Sequence, residues 1–143
     1  MIHGFDTGFL VAVEVSDHPD HQPARSKLAA FAAAGDTLSL APQVLAEFIH
    51  IVTDPRRFPR PLSTDAARDV AQKWWTAKEV IQVFPNADAV ALFFNWHRGL
   101  ALGRKRLLDT LLAATYRCAG INSLLTTNAS DFTAFGGFQC ITP

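Results

Sequence analysis

Residues 107–132 read LLDTLLAATYRCAGINSLLTTNASDF, and this stretch decides the fold. The spacing of its apolar residues predicts a helix over Leu107 to Cys118, with Asp109 in the first turn and Gly120 closing it. Asn122 to Thr127 then reads as a short buried strand, and Asn128 to Phe132 as a turn. A helix, a glycine stop, an apolar strand and a polar turn follow one another with no linker, which is the grammar of a layered α/β sheet.

The same alternation runs through the rest of the chain. Ile2 to Phe5 predicts a first buried strand ending at Asp6, followed by a helix through Phe9, Leu10 and Val13. After the turn-rich SDHPDHQP come a helix over Ala24 to Ala34, closed by Gly35, and a strand over Thr37 to Ala41. Pro42 opens a helix whose apolar face is Val44, Leu45, Phe48, Ile51 and Val52, with Glu47 beside it. The segment DPRRFPRPLS, with three prolines and three arginines, reads as a loop, and Ser63 caps a helix running to about Lys78. Val80 to Phe84 reads as a strand, Ala87 to Leu102 as a helix with a stripe of Val90, Leu92, Phe93, Phe94 and Trp96, and Phe138 to Thr142 as a last strand. The expected architecture is therefore one α/β domain over residues 1–143 with a mainly parallel central sheet flanked by helices.

Composition narrows the function classes. The 143 residues are 49% hydrophobic and 18% charged, which suits a folded globule and argues against extensive disorder. Lys plus Arg balances Asp plus Glu at 13 each, so any contact with nucleic acid relies on local basic patches. Apolar runs are too short to span a bilayer, and MIHGFDTGFL has no basic leader and cleavage site, so membrane insertion and secretion lack support and a cytoplasmic address is expected. Cys118 and Cys140 lie in apolar surroundings without a CxxC partner and are expected to be buried free thiols. The His18–His21 pair in HPDH is a weak zinc signal. There is no GxxxxGK[ST], GxGxxG or GxSxG motif, and Asp6-Thr7-Gly8 lacks the second Asp of an aspartyl-phosphate hydrolase.

Four acids stand at the edges of apolar segments: Asp6, Glu47, Asp109 and Asp131. Burying carboxylates is costly unless they are paired, hydrogen-bonded or bound to a cation. A fold that gathered them at the carboxyl ends of its strands would make an oxygen-rich pocket for Mg²⁺ or Mn²⁺. Each acid also has a plainer reading: Asp6 as a helix cap, Asp109 as a helix-dipole partner, Asp131 as a turn residue, Glu47 as a surface ion-pair partner.

The segments FDTGFLV, LAEFIHIVTDP and LLDTLLAATYRCAGINSLLTTNASDF occur in an order that resembles PIN-domain ribonucleases, and more narrowly the VapC toxins of bacterial toxin–antitoxin pairs. The resemblance covers nearly the whole chain and implies a PIN-like three-layer sandwich. It also implies a Mg²⁺-dependent endoribonuclease, with Mn²⁺ as a possible substitute, leaving 5′-phosphate and 3′-hydroxyl ends. The implied metal ligands are Asp6, Asp109, Glu47 and Asp131, with the fourth place shared between Asp131 and Asn128, and Thr126 at the family's hydroxyl position. Two departures are visible: Asn128 where many relatives carry Asp, and Gly8 where relatives often carry Asn or a hydroxyl residue.

Arg104, Lys105 and Arg106 precede Asp109, where a cationic cluster would guide RNA phosphate, with a solvated turn as the alternative. Arg56, Arg57 and Arg60 offer a second grip on RNA or on an acidic partner tail. Trp74 and Trp75, being adjacent on a helix, cannot both face one narrow core, so one is expected at the surface. Together with Phe93, Phe94 and Trp96 they are candidates for a homodimer interface or a groove for a VapB-like antitoxin, against ordinary core packing. Two other functions stay open: a catalytically weak RNA- or protein-binding module, suggested by Asn128 and Gly8, and a DNA-directed nuclease of the same fold.

Overall fold

Five short strands, all parallel, form the centre of the molecule in a computed structural model that describes residues 1–143. In chain order the strands are β1 (Ile2–Phe5), β2 (Thr37–Leu40), β3 (Val80–Gln82), β4 (Ser123–Leu125) and β5 (Gln139–Ile141). The helices are α1 (Thr7–Glu14), α2 (His21–Ala33), α3 (Pro42–Val52), α4 (Thr64–Trp75), α5 (Ala87–Gly99), α6 (Leu107–Cys118) and α7 (Ser130–Thr133). The sheet order is β3-β2-β1-β4-β5, and every pairing is parallel rather than mainly so. Parallel strands need crossovers, which cover both faces of the sheet, so the central strands are buried throughout most of their length.

Alternation along β1 assigns the two faces. His3 and Phe5 point one way, where His3 meets Phe31 of α2, and Phe5 meets Phe9 of α1 and Trp74 of α4. Gly4 points the other way, against Tyr116 of α6. A Cβ on Gly4 would lie 2.9 Å from the Tyr116 ring, so only glycine lets α6 come this close to the central strand. The Tyr116 hydroxyl lies 2.7 Å from the Phe5 carbonyl and 3.1 Å from the Ser39 carbonyl, joining the ends of β1 and β2. The core between these layers includes Phe5, Phe9, Leu40, Phe48, Leu124 and Phe132, all fully buried.

Local chemistry explains most element ends. Ser63 accepts from Ala66 N–H at 3.1 Å to start α4, and Asn86 accepts from Ala89 N–H at 2.8 Å to start α5. α4 stops at Trp75, short of Lys78, where the Thr76 backbone leaves helical dihedrals and its N–H and hydroxyl both reach back to the Gln72 carbonyl. α5 ends at Gly99 rather than Leu102, just before Ala101 adopts a positive φ of 50°. The turn after β4 contains the short helix α7, beginning at Ser130.

Three expectations about side chains are corrected. Cys118 is exposed and Cys140 half-buried, because Cys118 falls in the last turn of α6, beyond the part that packs on the sheet. Trp74 and Trp75 are both half-buried: the first donates its indole N–H to Glu14 at 2.7 Å, and the second packs edge-on against Phe84. The α5 stripe is mostly not core, since Ala89 alone is fully buried while Val90 and Phe94 face solvent.

Candidate active site at the switch point

From β1 the chain leads outward in one direction to β2 and β3, and later returns to place β4 and β5 on the other side. The carboxyl ends of β1 and β4 therefore form the switch point of the sheet, where open α/β folds build their ligand sites. Phe5 is in register with Leu125, which brings the next residues, Asp6 and Thr126, level with each other. Asp6 N–H donates to the Leu125 carbonyl at 2.8 Å, and the Thr126 hydroxyl donates to Asp6 Oδ2 at 2.8 Å.

Asp6 occupies the cap position of α1 with extended backbone, yet its side chain makes no capping hydrogen bond. Its carboxylate is turned across the switch point instead, so the plain cap reading is set aside. Glu47 likewise has no arginine partner; it accepts from the Thr7 hydroxyl at 2.8 Å. Asp109 reaches the same rim from the first turn of α6 and stands 3.5 Å from Arg106 Nε. Tyr116, two turns later on the same face of α6, anchors that helix through the two carbonyls beside the rim.

The acids act on one another. Burial pushes the Asp6 carboxyl up to about 7; the Thr126 hydrogen bond opposes the rise, and the charges of Asp109 and Glu47 add to it. Burial also pushes Asp109 up to about 6, with the Asp131 charge adding to the rise, Arg106 opposing it and Glu47 adding a smaller share. Asp131, in the first turn of α7, is thus within electrostatic reach of Asp109. Asn128 is engaged locally: its Oδ1 accepts from the Ser130 hydroxyl at 2.6 Å and its N–H donates to Thr126 Oγ1 at 3.0 Å.

The donor set suits a hard divalent cation, since every group is an oxygen and Asp6 is desolvated without a lysine or arginine in contact. No three acidic, His or Cys side chains converge into a ready-made cage, so the carboxylates have to draw inward around an ion. Arg106 turns Nε to Asp109 at a long 3.5 Å and leaves a buried Nη2 without an acceptor, and Gln43, one turn before Glu47 on α3, has a buried unpartnered Nε2. Arg106 stands beside Asp109, while Gln43 shares a helix face with Glu47 and was not legible as a site residue.

The other basic residues separate. Arg104 and Lys105 are exposed on the turn before α6. Arg56 is paired with Asp54 at 3.3 Å and Arg60 with Asp17 at 2.5 Å, both at the surface. Arg57 lines a cavity that also touches Gly8 and Thr127, beside Asp6. His18 and His21 belong to no group of three or more His, Cys, Asp or Glu side chains that could hold a metal, and each ring's Nδ1 is hydrogen-bonded to backbone, at Asp20 N–H and the Ala12 carbonyl. The largest cavity, about 610 Å³, lies at the amino edge of the sheet near Thr37 and Val80, away from the acids.

Residues 5–137 match the family model of the PIN domain. The chain belongs to the PIN-domain family. This PIN domain is 29% identical over 133 residues to Ribonuclease VapC24 of Mycobacterium tuberculosis, a match covering 92% of this chain and 89% of the relative. It superposes on the crystal structure of M. tuberculosis VapC20, described as a sarcin-ricin loop cleaving toxin, with TM-score 0.71, 19% identity and 99% of each chain covered. It also superposes on a chain of VapBC2 from Rickettsia felis bound to a promoter DNA fragment, with TM-score 0.70 and 18% identity, covering 100% of this chain and 99% of that one. At these identities the two structures establish the PIN fold. No helix is long and apolar enough to cross a membrane.

Proposed function

We propose that this single PIN domain, residues 1–143, is a divalent-metal-dependent endoribonuclease and the toxin of a toxin–antitoxin pair. The observation that carries the reading is the electrostatic coupling among Asp6, Glu47, Asp109 and Asp131 at one rim, where burial and mutual repulsion raise Asp6 and Asp109. A cation would relieve that repulsion. The names of the relatives, a VapC ribonuclease and a sarcin-ricin loop cleaving toxin, support the same chemistry.

Asp6 and Asp109 are the principal ligands for Mg²⁺ or Mn²⁺, with Glu47 and Asp131 completing the set. Asp131 takes the fourth place in preference to Asn128, because its negative charge acts on Asp109 whereas the Asn128 amide is neutral. When bound, the ion supplies Lewis-acid polarisation of a phosphoryl oxygen and a more acidic water for attack on the RNA phosphodiester. Thr126 fixes the orientation of Asp6, and Thr7 fixes that of Glu47. Arg106, with an unfilled donor beside Asp109, holds a non-bridging phosphate oxygen, while Arg104, Lys105 and Arg57 draw the strand toward the rim.

Exposed apolar side chains gather on α5 and near the start of α6, including Val90, Phe94, Leu100, Leu107 and Leu108. This face supports a homodimer and an antitoxin segment as protein partners, as do the toxin–antitoxin assemblies among the structural relatives. A cytoplasmic address fits such a pair. The open spacing of the acids and the amide at Asn128 favour a second reading, a PIN-like module that binds RNA without cutting it.

One comparison decides between the two. Structured RNA and single-stranded DNA are incubated with wild type and with folded Asp6→Asn or Asp109→Asn variants, with Mg²⁺ and with chelator. Metal-dependent RNA cleavage lost in both variants supports the nuclease; RNA binding without any metal uptake or cleavage supports the module; preferential DNA cleavage moves the substrate class.

A further inference from the structure

A cavity of about 410 Å³ adjoins the acidic rim on the α1–α3 side, within the ~300–1,000 Å³ typical of ligand pockets. Its lining includes Val11 and Ile51 from the two helices, Phe58 and Arg57 from the proline-rich loop, and His18 from the HPDH turn. Gly8 and Thr127 close it on the side of the acids. A Cβ on Gly8 would lie 2.5 Å from Thr127 Oγ1 and 3.6 Å from Asp6 Oδ2, so the wall between the cavity and the acidic centre is one residue thick and carries no side chain at Gly8.

The chemistry of the lining is specific. Phe58, Val11 and Ile51 supply apolar surface, one of them an aromatic ring. His18 Nδ1 accepts the Asp20 N–H at 3.1 Å, so in the neutral ring the proton sits on Nε2, which is left to donate. The Arg57 guanidinium donates as well, leaning on Asp54 with Nε 3.7 Å from Oδ2, and Thr127 adds a hydroxyl. No carboxylate lines the cavity, whereas the larger one at the amino edge carries Asp36 and Glu79. An open cavity that combines apolar and aromatic surface with several donors matches an unpaired base presenting carbonyl acceptors.

We propose that this cavity is a nucleobase subsite: it receives the unstacked base of a nucleotide flanking the cleaved phosphodiester and favours the keto bases guanine and uracil. The subsite rests on the endoribonuclease reading and adds to it the recognition of one base beside the cut. HPDH thereby gains a role that its weak metal signal did not supply, and the glycine at position 8 keeps the base close to Asp6.

The test maps the cut site of wild type on a labelled single-stranded RNA of twelve nucleotides in Mg²⁺, then repeats the assay with one abasic ribonucleotide at each position in turn. The expected result is a loss of about tenfold or more in kcat/KM for an abasic residue at one nucleotide flanking the cut, and a smaller effect elsewhere. Guanine or uracil at that position should outperform adenine and cytosine. In Phe58→Ala and His18→Ala, each checked for an unchanged melting temperature, the abasic penalty should shrink toward unity. Cleavage by wild type that is indifferent to abasic substitution beside the cut overturns the subsite and leaves the nuclease standing, and that arm needs no protein variant. Failure of wild type to cut either this RNA or structured RNA with Mg²⁺ or Mn²⁺ overturns both.

Discussion

The Thr126 hydroxyl donates to Asp6 Oδ2 across 2.8 Å, linking two residues 120 positions apart at the switch point between β1 and β4. This bond opposes the rise of the Asp6 pKa and fixes the oxygen that faces the rim. Thr126→Ala should lower Mn²⁺ affinity and cleavage about 10–100-fold, as loss of a group orienting a metal ligand does. Thr126→Ser should retain most of both, with isothermal titration and single-turnover cleavage as the measurements.

The acids also set a pH dependence. Folded Asp6 holds its proton to about 7, against an ordinary value of 3.8, and folded Asp109 to about 6. Between about pH 4 and 7 the folded state binds more protons than the unfolded state, so stability falls as pH rises through that window. Metal-free protein should therefore be more stable at pH 5 than at pH 8, by on the order of a few kcal/mol. Asp6→Asn should flatten that slope and melt higher than wild type at pH 8, at the expense of activity. A pH series of denaturant midpoints on wild type and variant reads this directly.

Divalent cation should reverse the same loss. At a free concentration a hundred times Kd, a ligand that binds only the folded state adds about 2.7 kcal/mol. Mg²⁺ or Mn²⁺ should raise the melting temperature by several degrees at pH 8 and by less at pH 5.5, where protons compete for Asp6 and Asp109, and chelator should return it to the metal-free value. Equal shifts at both pH values would place the cation elsewhere.

Arg106 is both a counter-ion to Asp109 and the bearer of an unfilled donor. Arg106→Gln should tighten Mn²⁺ binding, because the cation no longer competes with the guanidinium. The same change should weaken RNA binding and reduce the salt slope of log K by about one, consistent with one lost phosphate contact. Arg106→Lys keeps the charge without the fork, so it should resemble wild type in Mn²⁺ titration but not in cleavage.

Tyr116 supports the rim from below. Tyr116→Phe removes the donor to the Phe5 and Ser39 carbonyls and should destabilise the fold by about 1–3 kcal/mol. Gly4→Ala forces the ring aside and should cost a similar amount, about 1–3 kcal/mol. Chemical denaturation measures both.

Local pattern alone was enough for the alternation of short apolar segments with amphipathic helices, hence for a parallel α/β sheet, because burial on both faces and a crossover helix leave their mark on neighbouring residues. It also marked Asp6, Glu47, Asp109 and Asp131 as acids in costly places, and their order carried the family resemblance. Element ends drifted where a cap or a backbone turn decided them, as at Thr76 and Ala101.

Tertiary structure decided what each acid touches. Asp6 at the start of α1 looks like a cap in sequence; only the β1–β4 register puts Thr126 beside it and turns its carboxylate into the switch point. Thr7 holding Glu47, Asn128 spent on Ser130 while Asp131 acts on Asp109, and Gly8 standing between Asp6 and a cavity are likewise contacts among side chains that periodicity does not encode. Periodicity reports which face of an element is buried, whereas a site is made by the register between elements far apart in the chain.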